Sequence, residues 1–344
     1  MSALAFELRP ALEAHEPPEA RGIPRDGVRL LVAHRDDGSI EHVTFRDLAE
    51  LLEPGDVVVV NVSATIPAAV PARRANGTRV KVHFATRAPH LDDDWRVVEI
   101  RSADGARPAR LAAGERLGLR GGATLELVAP YASGQRLMLA RFCCALLVDD
   151  YLEEHGEPIR YAHVRRKWPV DAYQNVYAIS PGSAEMPSAG RPFTRELISR
   201  LHERDITVAP VTLHAGVSSP ESHEPPFPEW FEVPEHAAET ISAARERGGR
   251  VIAVGTTVAR ALESAAAGGG CACARSGWTS HVVTPECGVR TIDGLITGWH
   301  DPEASHLMLL EAVAGPELLK VSYAAALDAG YLWHEFGDSH LILP

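Results

Sequence analysis

The sequence lacks the features that place a chain in a membrane or outside the cell. No apolar run approaches the roughly 20 residues that a bilayer-spanning helix requires. Residues 1–22 contain no basic segment followed by an apolar one, so a secretory signal is not indicated. The five cysteines are odd in number and clustered, which does not suggest a disulfide framework. We therefore expect a cytoplasmic protein with no membrane partner.

Common cofactor and metal motifs are also missing. There is no GxGxxG after a predicted strand and no GxxxxGK[ST] loop, and the cysteines form a CxC rather than spaced CxxC pairs. These absences argue against an ordinary Rossmann methyltransferase or dehydrogenase, a P-loop enzyme and a structural zinc site. We expect no metal.

Positive charge is scarce. Asp and Glu (46) outnumber Lys and Arg (34), which gives a formal net charge of −12 at pH 7. Broad, non-specific nucleic-acid binding needs a positive field and is therefore disfavoured. One local basic run remains, from Arg160 to Lys167 beside Trp168, where cations could meet phosphates while a base stacks on the indole. The alternative interpretation of this run is a solvated loop.

The 344 residues are enough for two domains. Residues 27–63 predict a strand, a hairpin, a short helix and a buried strand. Short apolar runs separated by Gly, Pro and Asp follow, and these are typical of a small β-barrel. We expect a layered α/β domain formed by residues 1–66 and 151–344, with a β-barrel domain inserted at 67–150.

From about residue 173 onward, helical and strand patterns alternate, which favours an α/β layer with mainly parallel strands. Active sites of such sheets gather at the carboxyl ends of the strands. The predicted helices are TRELISRLHERD, PEHAAETISAARERG, TVARALESAA and PELLKVSYAAALDAG, and the predicted strands are ITVAPVTL, RVIAVG, HVVTP and HLIL.

The segment Arg250–Ala266 carries the most informative local pattern. The apolar run Val251–Val254 predicts a buried strand that runs into Gly255, and Thr256 and Thr257 stand where a helix begins. Hydroxyl caps, free backbone N–H groups and the helix dipole suit a carboxylate or a phosphate. The alternative is a turn that only reverses the chain.

Several further segments occur in an order and spacing that point to one family. They are AYQNVYAISPGSAEMPSAGRPFT (172–194), VTLHAGV (211–217), EWFEVPEHAAETISAARERGGRVIAVGTT (229–257) and FGDSHLIL (336–343). With HVTFRDLAELLEPGDVVVVN and IPA near the front, they resemble the S-adenosylmethionine:tRNA ribosyltransferase-isomerase family of queuosine biosynthesis. The resemblance covers nearly the whole chain and is weakest between about residues 71 and 150. It also implies an inserted β-barrel.

The resemblance implies an unusual transfer reaction. S-adenosylmethionine, as co-substrate, would donate its ribosyl group to an aminomethyl-deazaguanine base in tRNA. The sugar would rearrange to the epoxycyclopentane ring of epoxyqueuosine, and adenine and methionine would leave. Such chemistry needs a base beside the sulfonium and an acid for the departing adenine, and histidine suits both tasks. No metal is required by this scheme.

Two histidines are the candidate catalytic residues. His214 matches the histidine of the family's Leu-His-Val-Gly segment and follows a predicted strand, so we expect its ring to face the cleft. His300 follows the predicted strand TIDGLIT, where the family has Asn-Phe-His. The alternative for each is a structural histidine bonded within the core or to a loop carbonyl.

Candidate substrate-binding residues come from the same motifs. Tyr173 and Gln174 match the family's Tyr-Gln-Thr-Val-Tyr-Ala, and the amide of Gln174 suits a base edge, although sheet packing is the alternative. Arg260 and Glu263 lie three apart on one helix side and could hold the methionine group, the alternative being a surface ion pair. The remaining candidates are Thr256 and Thr257 for an anion, Trp299 for base stacking (or core packing), and Glu229 and Asp338 for ribose hydroxyls (or, for Asp338, a turn).

The chain departs from the family pattern where substrate contacts are expected. Across Asn61–Ala69, where the family reads Asn-Asp-Thr-Arg before Ile-Pro-Ala-Arg, one acid and two arginines are absent. Pro192 stands in place of a histidine, and Pro-Pro-Phe-Pro (225–228) replaces His-Met-His-Ser before Glu229. These losses weaken the prediction of tRNA as a partner. Two alternatives therefore stay open: a divergent paralogue with a different, small acceptor, and a catalytically silent homologue that binds a nucleoside or RNA.

Overall fold

The computed structural model describes residue 4 and residues 6–110, 112–131, 136–217, 226–266, 270–302 and 304–344. Pro225, the first residue of the Pro-Pro-Phe-Pro run, lies outside these ranges. The strands are β1 (Arg29–His34), β2 (Ile40–Thr44), β3 (Val57–Asn61), β4 (Ser63–Thr65), β5 (Ala69–Arg74), β6 (Arg79–Arg87), β7 (Trp95–Ser102), β8 (Arg116–Leu119), β9 (Thr124–Pro130), β10 (Leu137–Cys143), β11 (Ser180–Ser183), β12 (Thr207–Leu213), β13 (Glu229–Val233), β14 (Val251–Val254), β15 (Arg275–Thr279), β16 (Gly294–Gly298) and β17 (Ser339–Leu343).

Seven α-helices accompany these strands in the described ranges. None of them combines the length and the apolar character needed to cross a lipid bilayer. They are α1 (Leu48–Leu51), α2 (Val148–His155), α3 (Arg195–Glu203), α4 (Glu235–Glu246), α5 (Thr256–Ser264), α6 (His306–Ala314) and α7 (Pro316–Asp328).

A nine-stranded sheet forms the larger part of the molecule, in the order β15-β13-β12-β3-β14-β16-β17-β1-β2. Its four central strands, β12, β3, β14 and β16, are parallel to one another. Strands β3 and β14 are buried along their whole length, as expected for continuous apolar runs covered on both faces. The outer pairs are antiparallel except for β1 with β17. The sheet is therefore mixed, and the prediction of mainly parallel strands holds only for its centre.

Most predicted elements of the α/β region are present. The predicted helices correspond to α3, α4, α5 and α7, and the hairpin, the buried strand and HLIL correspond to β1–β2, β3 and β17. The predicted strand HVVTP is wrong, because residues 281–285 form a loop in which Val283 is buried without strand pairing. Helix α6 escaped prediction because HLMLLEAVA is apolar on most sides and so lacks a clear helical period.

The expected β-barrel is confirmed. Strands β10-β7-β6-β5-β8-β9 close into a barrel, and apolar side chains fill its interior, among them Val82, Val98, Leu117 and Leu125. Its strands lie between Ala69 and Cys143. The division into separate domains with boundaries at 67 and 150 stays a prediction.

The barrel packs against the end of the sheet where the central strands finish. Val217 and Phe227, from the chain between β12 and β13, belong to the same apolar cluster as the barrel interior. Gly216 permits this approach, because a Cβ atom there would lie 2.1 Å from the Phe227 ring. Strands β4 and β11 form a short parallel pair beside this junction. A cleft consequently lies between the barrel and the carboxyl ends of β14 and β16.

Candidate active site

The cleft has a volume of about 450 Å³. Gly255 lies at its base just after β14, Thr297 comes from β16, and Arg101 reaches it from the barrel. Carboxyl ends of neighbouring parallel strands are where open α/β sheets bind ligands. Of the predicted site residues, the cleft lining includes Tyr173, Glu229, Thr256, Thr257, Arg260, Trp299 and His300, and it does not include Gln174, His214, Glu263 and Asp338.

Helix α5 points its amino terminus into the cleft. Gly255, its N-cap, has φ +94° and ψ 156°, a conformation that is essentially restricted to glycine. Neither threonine hydroxyl caps the helix, and that of Thr257 instead accepts from Asn61 Nδ2 at 3.2 Å. The Val258 N–H already donates to the Gly255 carbonyl, but those of Thr256 and Thr257 have no acceptor within the helix, and the helix dipole adds positive potential. The predicted hydroxyl cap is therefore absent from α5, and binding of an anion at this terminus stays a prediction that depends on backbone N–H groups.

A buried ion pair forms one wall. Glu229 pairs with Arg260, and its other oxygen accepts from the Gly216 N–H at 2.7 Å. Burial raises the pKa of Glu229, although Arg260 opposes that shift. The Arg260 guanidinium also donates, over 2.9–3.0 Å, to the backbone carbonyls of Phe227, Thr279 and His281. Most of its donors therefore hold protein groups together.

Glu263 forms no ion pair or hydrogen bond with Arg260 among the contacts of the described residues. One of its oxygens accepts from the N–H groups of Arg290 and Thr291 at 2.7 and 2.8 Å, and from the Thr291 hydroxyl at 2.7 Å. Arg260 therefore lines the cleft without Glu263, and each forms an ion pair with another residue: Arg260 with Glu229, and Glu263 with Arg290 at 4.0 Å. Each side chain is buried and faces a different loop.

His214 lies behind the cleft wall. Its Nδ1 is 2.8 Å from Ser63 Oγ, and its ring stacks on Trp230 with centroids 5.3 Å apart. Gly182 makes room for the ring, because a Cβ atom there would lie 2.5 Å from Nδ1. Burial lowers the pKa of His214 to about 4. The expectation that this ring faces the cleft is wrong, because packing between Gly182 and Trp230 turns it away.

Two other predicted substrate-binding side chains form their hydrogen bonds with other groups of the protein. The amide of Gln174 forms two hydrogen bonds with the backbone of Thr65, accepting at 3.0 Å and donating at 2.7 Å. Asp338 accepts from the N–H groups of Arg29 and Leu332 and forms an ion pair with the Arg29 guanidinium at 2.8 Å. These contacts leave neither side chain in the cleft lining. The turn alternative for Asp338 therefore fits better than ribose binding.

His300 lies in the cleft lining and is held in place by Thr297, whose hydroxyl is 3.0 Å from Nε2. Its ring stacks on His306, with centroids 4.6 Å apart and planes 8° apart. Burial, followed by the nearby imidazoles of His306, His334 and His340, lowers the pKa of His300 well below its usual value. The pKa of His306 is lowered by burial to about 4. Both rings are consequently neutral near pH 7.

Two aromatic candidates differ in what they offer a ligand. Trp299 is 2% exposed, with one face stacked on His340 and further contacts with Tyr323 and Trp333. It therefore contributes mainly to the core, as its alternative interpretation states. The Tyr173 hydroxyl has no hydrogen-bond partner among the described residues, and burial raises the pKa of Tyr173.

Sequence reasoning missed a polar cluster in the cleft lining, formed by Tyr161, His163, Glu185 and Glu335. Tyr161 donates to Glu185, and His163 forms an ion pair with Glu335 at 2.7 Å. Glu185 belongs to the family-like segment 172–194, so its motif could have indicated it. His163 and Glu335 belong to segments more than 170 positions apart, and no spacing pattern connects them.

Comparison with known proteins bears directly on this site. A profile of the protein family described as "Queuosine biosynthesis protein" matches residues 1–342. The chain belongs to this family. The resemblance noted in the sequence is therefore confirmed, together with the enzyme class: the protein is an enzyme of the transferase–isomerase kind.

Relatives named S-adenosylmethionine:tRNA ribosyltransferase-isomerase align along nearly the whole chain. The protein from Moorella thermoacetica is 38% identical over 98% of both chains. That from Thermus thermophilus is 37% identical over 97% of this chain and 99% of its own. The crystal structure of an S-adenosylmethionine tRNA ribosyltransferase from Thermotoga maritima is 29% identical, with a TM-score of 0.55 over 98% of this chain and 99% of that one. These matches confirm the α/β fold with its barrel.

The described residues contain no group of three or more His, Cys, Asp and Glu side chains placed to hold a metal ion.

Proposed function

We propose that the protein transfers and isomerises the ribosyl group of S-adenosylmethionine onto the aminomethyl-deazaguanine base of tRNA, forming epoxyqueuosine in the cytoplasm. Adenine and methionine are the released products. The observation that carries the proposal is a single cleft that combines a helix amino terminus with a buried, neutral histidine. Whole-length similarity to named relatives favours this function over a paralogue with another acceptor or a silent homologue.

The cleft suits a nucleoside with a charged amino-acid tail. Its volume lies within the range of small-molecule sites, about 300–1,000 Å³. The methionine carboxylate is proposed to bind at the first turn of α5, where backbone N–H groups of Thr256 and Thr257 and the helix dipole favour an anion. The rings of Tyr161 and Tyr173 supply aromatic surface for a purine or deazaguanine.

His300 is proposed as the base that removes a proton from the carbon beside the sulfonium. A base must be unprotonated at working pH, and burial keeps this imidazole neutral. The Thr297 hydroxyl fixes the ring. His214 is proposed to support the site indirectly, because it bonds to Ser63 and packs on Trp230 behind the cleft.

The tRNA is proposed to approach over the basic segment Arg160–Lys167, since Tyr161 and His163 in this segment line the cleft. Arg165, Arg166 and Lys167 are exposed there. Their positive charge would be local, on a chain whose overall charge is −12. S-adenosylmethionine is proposed as the co-substrate, and the proposed reaction requires no metal.

Turnover of S-adenosylmethionine tests the proposal. Release of adenine and methionine is measured with tRNA carrying the aminomethyl-deazaguanine base, with the same tRNA carrying guanine, and without tRNA. We expect release only with the modified tRNA. Binding of S-adenosylmethionine without release in any arm would contradict the proposed reaction, and release supported by a small deazaguanine alone would identify the paralogue alternative.

A further inference from the structure

The cleft contains a second pair of stacked histidines, which the proposed reaction has not used. The rings of His163 and His334 lie parallel, with centroids 4.0 Å apart and planes 14° apart. Both residues line the cleft, and each side chain is only 12% exposed. His334 has φ +72°, a conformation that costs a non-glycine residue energy and that tends to occur at functional sites.

Carboxylates surround this pair, in contrast to His300 and His306. Glu335 Oε2 lies 2.7 Å from His163 Nε2. The Nε2 atom of His334 is 3.7 Å from Glu13 and 3.9 Å from Asp301, too far for hydrogen bonds, and it is buried without a hydrogen-bond partner among the described residues. Two imidazolium rings at 4.0 Å repel each other, so the pair holds one proton more readily than two. The carboxylates favour that one proton.

The hydrogen bond with Glu335 places the shared proton on His163 rather than on His334. Burial opposes a charged His163, but the hydrogen bond and charge of Glu335, helped by Glu13 and Asp301, outweigh burial and raise the pKa of His163. Burial and the positive charge of His163 lower the pKa of His334. The charged and titratable groups that face or adjoin the pair are Glu13, His15, Tyr161, Arg165, His300, Asp301 and Glu335.

We propose that His163, held as an imidazolium by Glu335 and stacked on His334, is the general acid that protonates adenine as it leaves. This inference rests on the proposed function. In the step, the bond between C1′ and the purine nitrogen breaks and its electron pair goes to the purine. The ring oxygen stabilises C1′, and the His163 proton moves to a purine nitrogen. Neutral adenine and a neutral imidazole result.

The surroundings of the two histidine pairs thus suit them to different proton transfers. His300 and His306 have no carboxylate partner among their described contacts, remain neutral and suit a base. His163 has Glu335 and suits an acid. One proton is taken beside the sulfonium and one is given to adenine, and the proton that the acceptor amine loses on bonding to the sugar goes to solvent. In enzymes, the acid and the base can often be assigned by finding titratable groups whose surroundings shift their pKa values in opposite directions.

Single-turnover adenine release across pH tests the assignment, with wild-type activity on modified tRNA established first. We expect H163Q to release adenine about 100-fold more slowly or worse, because general acids contribute about 10²–10⁴. We expect H163Q also to lose the alkaline limb of the pH profile. E335Q keeps the imidazole but removes its anion, so the alkaline limb should move to lower pH by about 1 unit or more.

A leaving-group comparison separates acid catalysis from a structural role. An S-adenosylmethionine analogue whose purine is a better leaving group needs less protonation, so it should recover much of the lost rate in H163Q. The matched control is the hairpin pair His34 and Glu41, 3.6 Å apart and outside the cleft lining, and H34Q and E41Q should behave as wild type.

Each outcome decides between the two proposals. An H163Q enzyme with unchanged pH profile and equal slowing on both leaving groups would overturn the assignment of His163 while leaving the proposed function intact. A wild-type protein that binds S-adenosylmethionine but never releases adenine would overturn the proposed function itself. Should H163Q fail to fold, the shift of the alkaline limb in E335Q still tests the assignment, and an unmoved limb would refute it.

Discussion

The surroundings of each histidine decide what that residue can do. His300 is buried beside other imidazoles and is neutral, whereas His163 has a carboxylate at hydrogen-bond distance that raises its pKa. His214 is also neutral, but its ring is packed between Gly182 and Trp230. Sequence reasoning made His214 and His300 equal candidates and did not single out His163. Burial, partners and direction separate them.

The assignment of His300 predicts a large loss of chemistry on its removal. We expect H300N to slow adenine release about 100-fold or more, because the asparagine amide cannot accept the proton, while affinity for S-adenosylmethionine changes little. Single-turnover rates and calorimetric binding measure the two effects. The comparison variant H214N should instead reduce stability with the chemical rate largely kept. Equal rates in H300N and wild type would exclude His300 as the base.

At the scale of elements, helix α5 links the fold to the site. The buried strand β14 ends at Gly255, and the turn there aims the first N–H groups of α5 into the cleft. Arg260, one turn later, joins the helix to Glu229 at the start of β13. The sequence pattern predicted this strand–turn–helix unit correctly. The backbone conformation at Gly255 then decides where the N–H groups point.

Replacing Gly255 tests this element. A side chain strains the backbone at φ +94°, and its Cβ would lie 3.3 Å from Ala189 Cβ. We expect G255A to lose about 1–3 kcal/mol of stability and to bind S-adenosylmethionine more weakly. Urea unfolding and calorimetry measure these quantities.

Gly315 provides a closely matched control. It is the N-cap of α7 with φ +75° and ψ 158°, and a Cβ there would have open space. G315A should lose stability to a similar degree but bind S-adenosylmethionine normally. Equal affinity in both variants would contradict a role for the α5 terminus in binding.

The whole molecule is acidic, yet it buries several neutral histidines. Burial lowers the pKa of His83, His214, His300, His306 and His340, in the last case to about 3. Unfolding exposes these rings to water, where they take up protons near pH 6.5. The folded state binds fewer protons between that pH and its own lowered pKa values. The stability that these five histidines contribute is therefore fully present above pH 6.5 and is lost as the solution becomes more acidic.

This linkage predicts the pH dependence of the free energy of unfolding. Each buried histidine contributes up to about 1.4 kcal/mol per pH unit below pH 6.5. We expect urea unfolding to show a marked loss of stability between pH 7.5 and 5.5. H340F removes one such group, whose ring nitrogens have no partner among the described residues, and should flatten the slope by up to that amount. An unchanged slope in H340F would contradict the linkage argument.

The charge distribution of the whole molecule gives a prediction for tRNA. With a net charge of −12, binding should depend on the local basic segment and weaken steeply with salt. We expect the double variant R165E/R166E to bind modified tRNA more weakly, with a salt slope lower by about 1 per lost phosphate contact, and to bind S-adenosylmethionine normally. Exposed arginines elsewhere, Arg204 and Arg247, provide the control variant R204E/R247E. Equal effects of both variants would argue for non-specific charge.

Elements with a local sequence pattern could be predicted before the structure was known. The continuous apolar runs of β3 and β14, the amphipathic periods of α3 and α5, and the short barrel strands could all be read from spacing, because burial imposes a period on each element. The order and spacing of the motifs were likewise enough to identify the family. Patterns failed where local period was weak, as in α6 and in the loop at 281–285.

The tertiary structure alone decided which side chains reach the cleft. Gln174 bonds to the Thr65 backbone 109 positions away, and His163 meets Glu335 across 172 positions. No spacing rule reports such contacts, since they depend on how strands and loops pack after folding. A polar side chain near a strand end is therefore only a candidate until its partners are known. Gln174, Glu263 and Asp338 form hydrogen bonds with other parts of the protein. His214 packs on Trp230 outside the cleft lining, and His163 lies within that lining.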